Sequence, residues 1–217
     1  MTDQTFDAMR QAMVASQLRT NEVNDPRVIA AISAVPRERF VPDDRKAVAY
    51  IDRAVQLTTA RALNLPMATA RLIIALEARA GDRTLVVGAA SGYAAAVLAR
   101  LTADVVALEE DPALLALAHA ATDVDGRIRL VEGPLAEGYM PGAPYDAILI
   151  DGAVEHVPAA IIGQLAEGGR LAAAVTEGAV TRLVVGRKVG SSFGLRAFAD
   201  AEAVSLPGFA LPTGFTF

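Results

Sequence analysis

The residues best placed to do chemistry are a small-residue turn, Gly88-Ala89-Ala90-Ser91-Gly92, and the carboxylate of Glu109. The turn follows a β-branched apolar run, Thr84-Leu-Val-Val87, and opens a helical pattern at Tyr93. Glu109 ends a second short apolar run, Val105-Val-Ala-Leu108, with Glu110 beside it as a second candidate acid. Strand, tight turn, helix, strand and acid is the arrangement with which doubly wound α/β folds hold an adenosine-bearing cofactor. Side chains no larger than Ala or Ser let a ligand approach the turn's backbone. An acid at the end of the second strand is placed to accept hydrogen bonds from two ribose hydroxyls. Asp151 follows a further apolar run and would sit at the mouth of the same crevice. Two uses are open to it, contact with a ligand or substrate and capping of the next segment.

Composition narrows the alternatives. The 217 residues suit one α/β domain with an N-terminal elaboration. A net charge of −5 gives no basic face for nonspecific nucleic-acid binding, so no nucleic-acid partner is expected. The chain has no cysteine, which removes disulfides, thiolate catalysis and thiolate metal sites. Its two histidines, His119 and His156, are far apart, so no metal centre is expected. No apolar run is long enough to span a membrane. The first residues are polar and acidic, unlike a signal peptide, and a cytoplasmic location is the expectation.

The elements that must position these groups follow from periodicity. Residues 5–20 read as an amphipathic helix with Phe6, Met9, Met13 and Val14 on one stripe. Asp25-Pro26 is an N-cap followed by Pro at the first helical position, and that helix must end before Pro36. Residues 37–65 read as irregular, a long connection of the kind that often forms a binding lid. Pro66 opens a helix through Ala78. Beyond it, strands are predicted at 84–88, 104–108, 127–131, 145–150 and 170–175, with helices at 91–101, 112–121 and 158–166. That alternation implies a mostly parallel sheet with right-handed crossovers. Residues 181–189 and 194–199 read as an antiparallel hairpin, with an extended stretch on to Leu206.

Several segments, in order, resemble the protein-L-isoaspartate (D-aspartate) O-methyltransferase family. They are Met13-Val-Ala-Ser-Gln-Leu18, Asp25, Val35-Pro-Arg-Glu-Arg-Phe-Val-Pro42 and Ala49-Tyr-Ile-Asp52 in the N-terminal part. The turn Gly88–Tyr93 with Ala95-Ala-Val-Leu-Ala99, then Ala143–Ile150, Val157-Pro158 and Gln164–Leu171, continue the likeness. It spans residues 8 to 206, and the Val35–Pro42 signature is its most specific part. The resemblance implies an α/β, Rossmann-like class I S-adenosylmethionine-dependent methyltransferase, with a mostly parallel seven-stranded sheet and an antiparallel C-terminal hairpin. Residues 1–65 would be an N-terminal helical elaboration and substrate loop, and 66–217 the α/β core, as one structural unit. The implied activity is methyl transfer from S-adenosylmethionine to a carboxylate of an isoaspartyl residue in a protein or peptide. A carboxylate is already a nucleophile and a sulfonium already a leaving group, so alignment and desolvation suffice without His or Cys.

The resemblance also implies site residues. Gly88, Ala89, Ala90, Ser91, Gly92 and Tyr93 would border the cofactor, with Tyr93 either beside it or in the core. Glu109 and Glu110 would meet the ribose, Gly133, Pro134 and Leu135 the adenine, and Asp151 the substrate or the methionine amino group. His156 reads as a loop histidine, His119 as a response to a helix C-terminus, and Arg37, Arg39 and Phe40 as structural anchors. The family's substrate loop, Gly-Gln-Thr-Ile-Ser-Gln-Pro, corresponds to Ala60-Arg61-Ala62-Leu63-Asn64-Leu65-Pro66. Asn64 and Arg61 are its candidates for the substrate carboxylate, the alternative being an apolar loop with a solvated Arg61. Val86 and Ala90 stand where the family has an acid and a glycine, and Pro134 where it has an acid. Two or three lost hydrogen bonds would weaken cofactor binding by about ten- to a thousandfold. A catalytically degenerate or differently specific member acting as a binding module is therefore the second reading. A nicotinamide-dependent oxidoreductase is weaker, because the turn lacks Gly-x-Gly-x-x-Gly.

Overall fold

The computed structural model describes residues 2–122 and 126–211. Residues 212–217, the end of the expected core unit, lie outside the described residues. The first helix, α1, runs Asp3–Met13 and passes into a wider π turn, Val14–Leu18, and a 3-10 turn, Arg19–Asn21. One regular helix to residue 20 was expected. The Ser16 hydroxyl instead donates to the Ala12 carbonyl and Thr20 to that of Ser16, competing with the helical ladder. Met13, Val14 and Leu18 are all buried by the widened turn. Helix α2, Pro26–Ala34, is capped by the Asp25 carboxylate, which accepts from the Arg27 and Val28 amides.

Residues 37–65 are less irregular than their sequence implies. Two 3-10 turns, Arg37–Phe40 and Asp43–Val48, precede a tiny antiparallel hairpin of β1, Val55–Gln56, and β2, Ala62–Leu63. Arg61 lies on its returning arm, just before β2. Helix α3, Pro66–Leu76, follows directly and stops at Glu77, whose φ of 50° is left-handed.

The main sheet contains β3, Arg83–Val87; β4, Asp104–Glu109; β5, Ile128–Glu132; β6, Tyr145–Val154; β7, Leu165–Glu177; β8, Val180–Val189; and β9, Ser192–Asp200. Its order is β5-β4-β3-β6-β7-β8-β9, parallel through β7 and antiparallel for the last two strands. Helices α4, Tyr93–Leu98, α5, Pro112–Thr122, and α6, Ala159–Gly163, lie in the crossovers. Strand β7 begins at Leu165, where a helix to residue 166 was expected. Leu165 pairs with Tyr145 and Arg170 with Ala147, so 166–169 bulge out at Gly168-Gly169. Strand β6 also outruns its expected end at 150, with a second irregularity between Leu149 and Ala153.

Alternate strand residues fill two cores, as a pleated sheet requires. Val86, Ala107, Ala147, Leu149 and Ala172 join one with Leu18, Ile32, Phe40, Leu72 and Tyr93. Leu85, Val106, Leu108, Ile148 and Leu171 join the other with Leu135, Ile161, Leu206 and Phe209. Among the described residues no helix is long and apolar enough to cross a membrane.

Candidate active site

Strand order reverses at β3: β4 lies on one side and β6 on the other. In open α/β sheets this switch point leaves a crevice beyond the carboxyl ends of the strands. The turn after β3, Glu109 at the end of β4, and Asp151 in β6 meet there.

The turn is built from left-handed residues, with φ of 73° at Gly88, 51° at Ala90 and 93° at Gly92. Both the Gly88 and Ala89 amides donate to the Leu108 carbonyl at 3.0 Å, which fastens the turn across to β4. For Ala90 the left-handed conformation costs roughly 1–2 kcal/mol. It aims the Ala90 amide at Glu109 Oε2, 2.8 Å away.

Glu109 is fully buried. Besides Ala90, its carboxylate accepts from the Glu110 amide at 2.9 Å and the Asp111 amide at 3.2 Å. Arg61 completes the shell with a two-pronged ion pair, Nη1 to Oε1 at 2.6 Å and Nη2 to Oε2 at 2.8 Å. Of the two expectations for Arg61, the solvated one is wrong: the side chain is 6% exposed and turned inward. Arginine is mostly exposed unless it is paired, and a buried acid needs a partner; the acid ending β4 was the available signal.

Asn64 is a clamp. Its Nδ2 donates to Asp151 Oδ1 at 3.1 Å, its Oδ1 accepts from the Val204 amide at 3.2 Å, and its carbonyl accepts from Arg37 Nη2 at 2.6 Å. Asp151 also accepts from Thr69 Oγ1 at 2.8 Å. Burial pushes the Asp151 carboxyl above its ordinary range, against the opposing pull of Asn64, Thr69, Arg37 and Arg61. Its reading as a helix cap is overturned. It lies inside β6, and the residue at the N-cap of α6 is Pro158.

Ser91 and Tyr93 are engaged with the N-terminal region. The Ser91 hydroxyl donates to the Phe40 carbonyl. Tyr93 is buried edge-on against Phe40, ring centroids 5.6 Å apart, with the Arg37 guanidinium 4.5 Å from its ring centre. Arg37 is wholly buried and also donates from Nε to the Ala49 carbonyl at 2.8 Å. Glu38 accepts from the Tyr50 hydroxyl. The Val35–Pro42 segment thus seats the N-terminal region on the turn and on the Asn64 loop.

On the far side, the Gly133 amide donates to the Glu109 carbonyl at 3.2 Å, Pro134 is exposed, and Leu135 is buried in the second core. His156 Nδ1 lies 3.2 Å from the Phe209 carbonyl, and His119 is exposed on α5. Among the described residues no cluster of His, Cys, Asp or Glu could hold a metal ion.

Sequence reasoning missed Thr69 and the seating of the C-terminal stretch at the site. A lone hydroxyl among the apolar residues of α3 was the signal for Thr69. The extended stretch to Leu206 was expected, but nothing local announces where it docks: Ala153 donates to the Val204 carbonyl at 2.7 Å and accepts from Leu206 at 2.9 Å, so residues 204–206 lie along the end of β6. Leu206 then covers the turn, and a Cβ on Gly88 would meet its side chain at 2.7 Å. Outside Arg61 and Leu206 an open groove of about 430 Å³ is lined by Ala60, Glu110, Asp111, Ser205 and Pro207.

Comparison with known proteins gives one consistent result. The sequence profile of protein-L-isoaspartate(D-aspartate) O-methyltransferase (PCMT) matches residues 9–204. Protein-L-isoaspartate O-methyltransferase 1 of Rhodopseudomonas palustris is 41% identical over 77% of this chain and 69% of its own. Protein-L-isoaspartate O-methyltransferase 2 of Marinobacter nauticus is 36% identical over 94% of this chain and 95% of its own. A Plasmodium falciparum PCMT structure in complex with S-adenosyl-L-homocysteine superposes with a TM-score of 0.76 at 19% identity, covering 93% of this chain and 97% of that one.

Proposed function

The chain belongs to the protein-L-isoaspartate (D-aspartate) O-methyltransferase family, and from that premise we propose that it transfers a methyl group from S-adenosylmethionine to the carboxylate of an isoaspartyl residue in damaged proteins, in the cytoplasm. The observation that carries the reading is the family match over residues 9–204. The residues of the crevice suit this cofactor in kind. Glu109, at the end of the second strand of the parallel unit, is the acid for the ribose hydroxyls, with Glu110 beside it. Gly88 presents a bare backbone, and a side chain there would collide with whatever lies over it, which in this conformation is Leu206. Ala89, Ala90, Ser91 and Gly92 complete the turn, with Tyr93 behind it. Gly133, Pro134 and Leu135 border the adenine side, where Pro134 offers neither a carboxylate nor an amide. Asp151 lies toward the methionine end, with Asn64 and Arg61 at the substrate loop.

Bound S-adenosylmethionine supplies a methyl group already activated on a sulfonium. The carboxylate oxygen that receives it is ionised at neutral pH, so no residue of this chain has to remove a proton. What the chain must do is hold the two reactants in line and keep water out. The buried clamp of Asn64, Asp151, Thr69 and Arg37 gives the substrate loop a fixed attachment for that task.

Calorimetric titration with S-adenosylmethionine tests the cofactor half of the reading. Saturable one-to-one binding is expected, weakened about tenfold or more by Glu109→Ala, since a charge-assisted hydrogen bond contributes about 1.5–3 kcal/mol. Equal affinity of the two proteins would remove Glu109 from the site.

A further inference from the structure

Two places that the proposed cofactor needs are taken, from within the chain, by its own side chains. Both carboxylate oxygens of Glu109 face a nitrogen of Arg61, at 2.6 and 2.8 Å. Leu206 lies over the bare face of Gly88, near enough that a Cβ there would stand 2.7 Å from it. We propose that Arg61 is the residue that sets cofactor affinity in this chain, acting as a built-in competitor for Glu109 that must swing out before the ribose can be held. This rests on the cofactor reading above.

The geometry supports displacement as well as occupation. Glu109 does not depend on Arg61 for its hydrogen bonds, because the Ala90, Glu110 and Asp111 amides already donate to it. The three amides go on holding the carboxylate when the cation leaves, and two hydroxyl donors can replace the guanidinium. Arg61 also has somewhere to go. It borders the open groove of about 430 Å³, whose wall carries Glu110 and Asp111 as alternative partners. The arm that holds it is short: β1 and β2 pair only Val55 with Leu63 and Gln56 with Ala62. Its bend is held by the Leu57 and Thr58 amides donating to the Arg61 carbonyl, by the Arg61 amide donating to the Thr58 hydroxyl, and by the Gln56 side-chain amide donating to the Thr58 and Arg61 carbonyls. A hairpin with so few bonds opens at low cost compared with the sheet beneath it. The closed form lowers apparent affinity by the fraction of molecules that are open.

The test uses S-adenosylhomocysteine as an unreactive probe, titrated into the wild-type chain and into Arg61→Gln. The proposal expects Arg61→Gln to bind about tenfold tighter or better, the wild type being mostly closed. Equal or weaker binding by the variant overturns the competitor role and leaves the methyltransferase reading standing. Failure of both proteins to bind overturns both. A second measurement on the wild type alone covers a variant that does not fold. With the probe, amide hydrogen exchange should quicken over residues 57–61 and slow over 88–92. Slowing over both segments would overturn the proposal.

Discussion

Asp151 is a buried acid whose carboxyl holds its proton to higher pH in the folded chain than in the unfolded one. The sign of its effect on stability follows. Between the unfolded value of about 3.9 and the raised folded value, the folded state binds more protons, so the stability contributed by this group is lost as pH rises. Asp151→Asn keeps an acceptor for Asn64 and Thr69 and removes the titration. The urea midpoint of the variant, relative to wild type, should therefore rise between about pH 4 and pH 7. A relative midpoint that falls over that range would contradict the burial argument. Ala90 makes a second prediction at this scale. Its φ of 51° strains an alanine, so Ala90→Gly should gain about 0.5–1 kcal/mol after the glycine's extra unfolded-state entropy is counted. A clear loss in urea denaturation would mean that residue 90 does not hold the left-handed conformation.

The element that organises the site is the segment from Arg37 to Phe40. Arg37 joins the carbonyls of Ala49 and Asn64 and covers the face of Tyr93, while Phe40 receives the Ser91 hydroxyl. Arg37→Met keeps the length of the side chain but strands two buried carbonyls. It should cost about 3 kcal/mol in chemical denaturation and alter tyrosine fluorescence, since the chain has no tryptophan. A loss below about 1 kcal/mol would make this anchor dispensable. The elements themselves were largely legible in sequence because their causes are local. Asp25-Pro26 caps a helix wherever it stands, and a β-branched run ending at Gly88 reads as a strand. The early start of β7 was not legible, because its first pair crosses a bulge that only the partner strand defines. Neither was the seating of Arg61 on Glu109, nor of Leu206 on Gly88. These residues are 48 and 118 positions apart, and no periodicity carries pairings at such range. The turn and its acid could be read as a cofactor crevice, but not that the chain would close it.

At the scale of the whole molecule, the N-terminal helices and the sheet share one apolar cluster, from Phe6 through Tyr93 to Leu183. Residues 1–65 should therefore unfold with the sheet and not ahead of it. Far-ultraviolet circular dichroism and tyrosine fluorescence should give coincident urea transitions. A separate early transition would mean that the elaboration is an independent unit. The doubly wound sheet, the switch-point crevice and the family signature that seats its turn converge on methyl transfer to a carboxylate. The most direct measurement of that claim incubates the full chain with methyl-labelled S-adenosylmethionine and two peptides differing only in an isoaspartyl or an ordinary aspartyl linkage. The account predicts base-labile label on the isoaspartyl peptide alone. Absence of label from both peptides, at a concentration where the cofactor is bound, would contradict it.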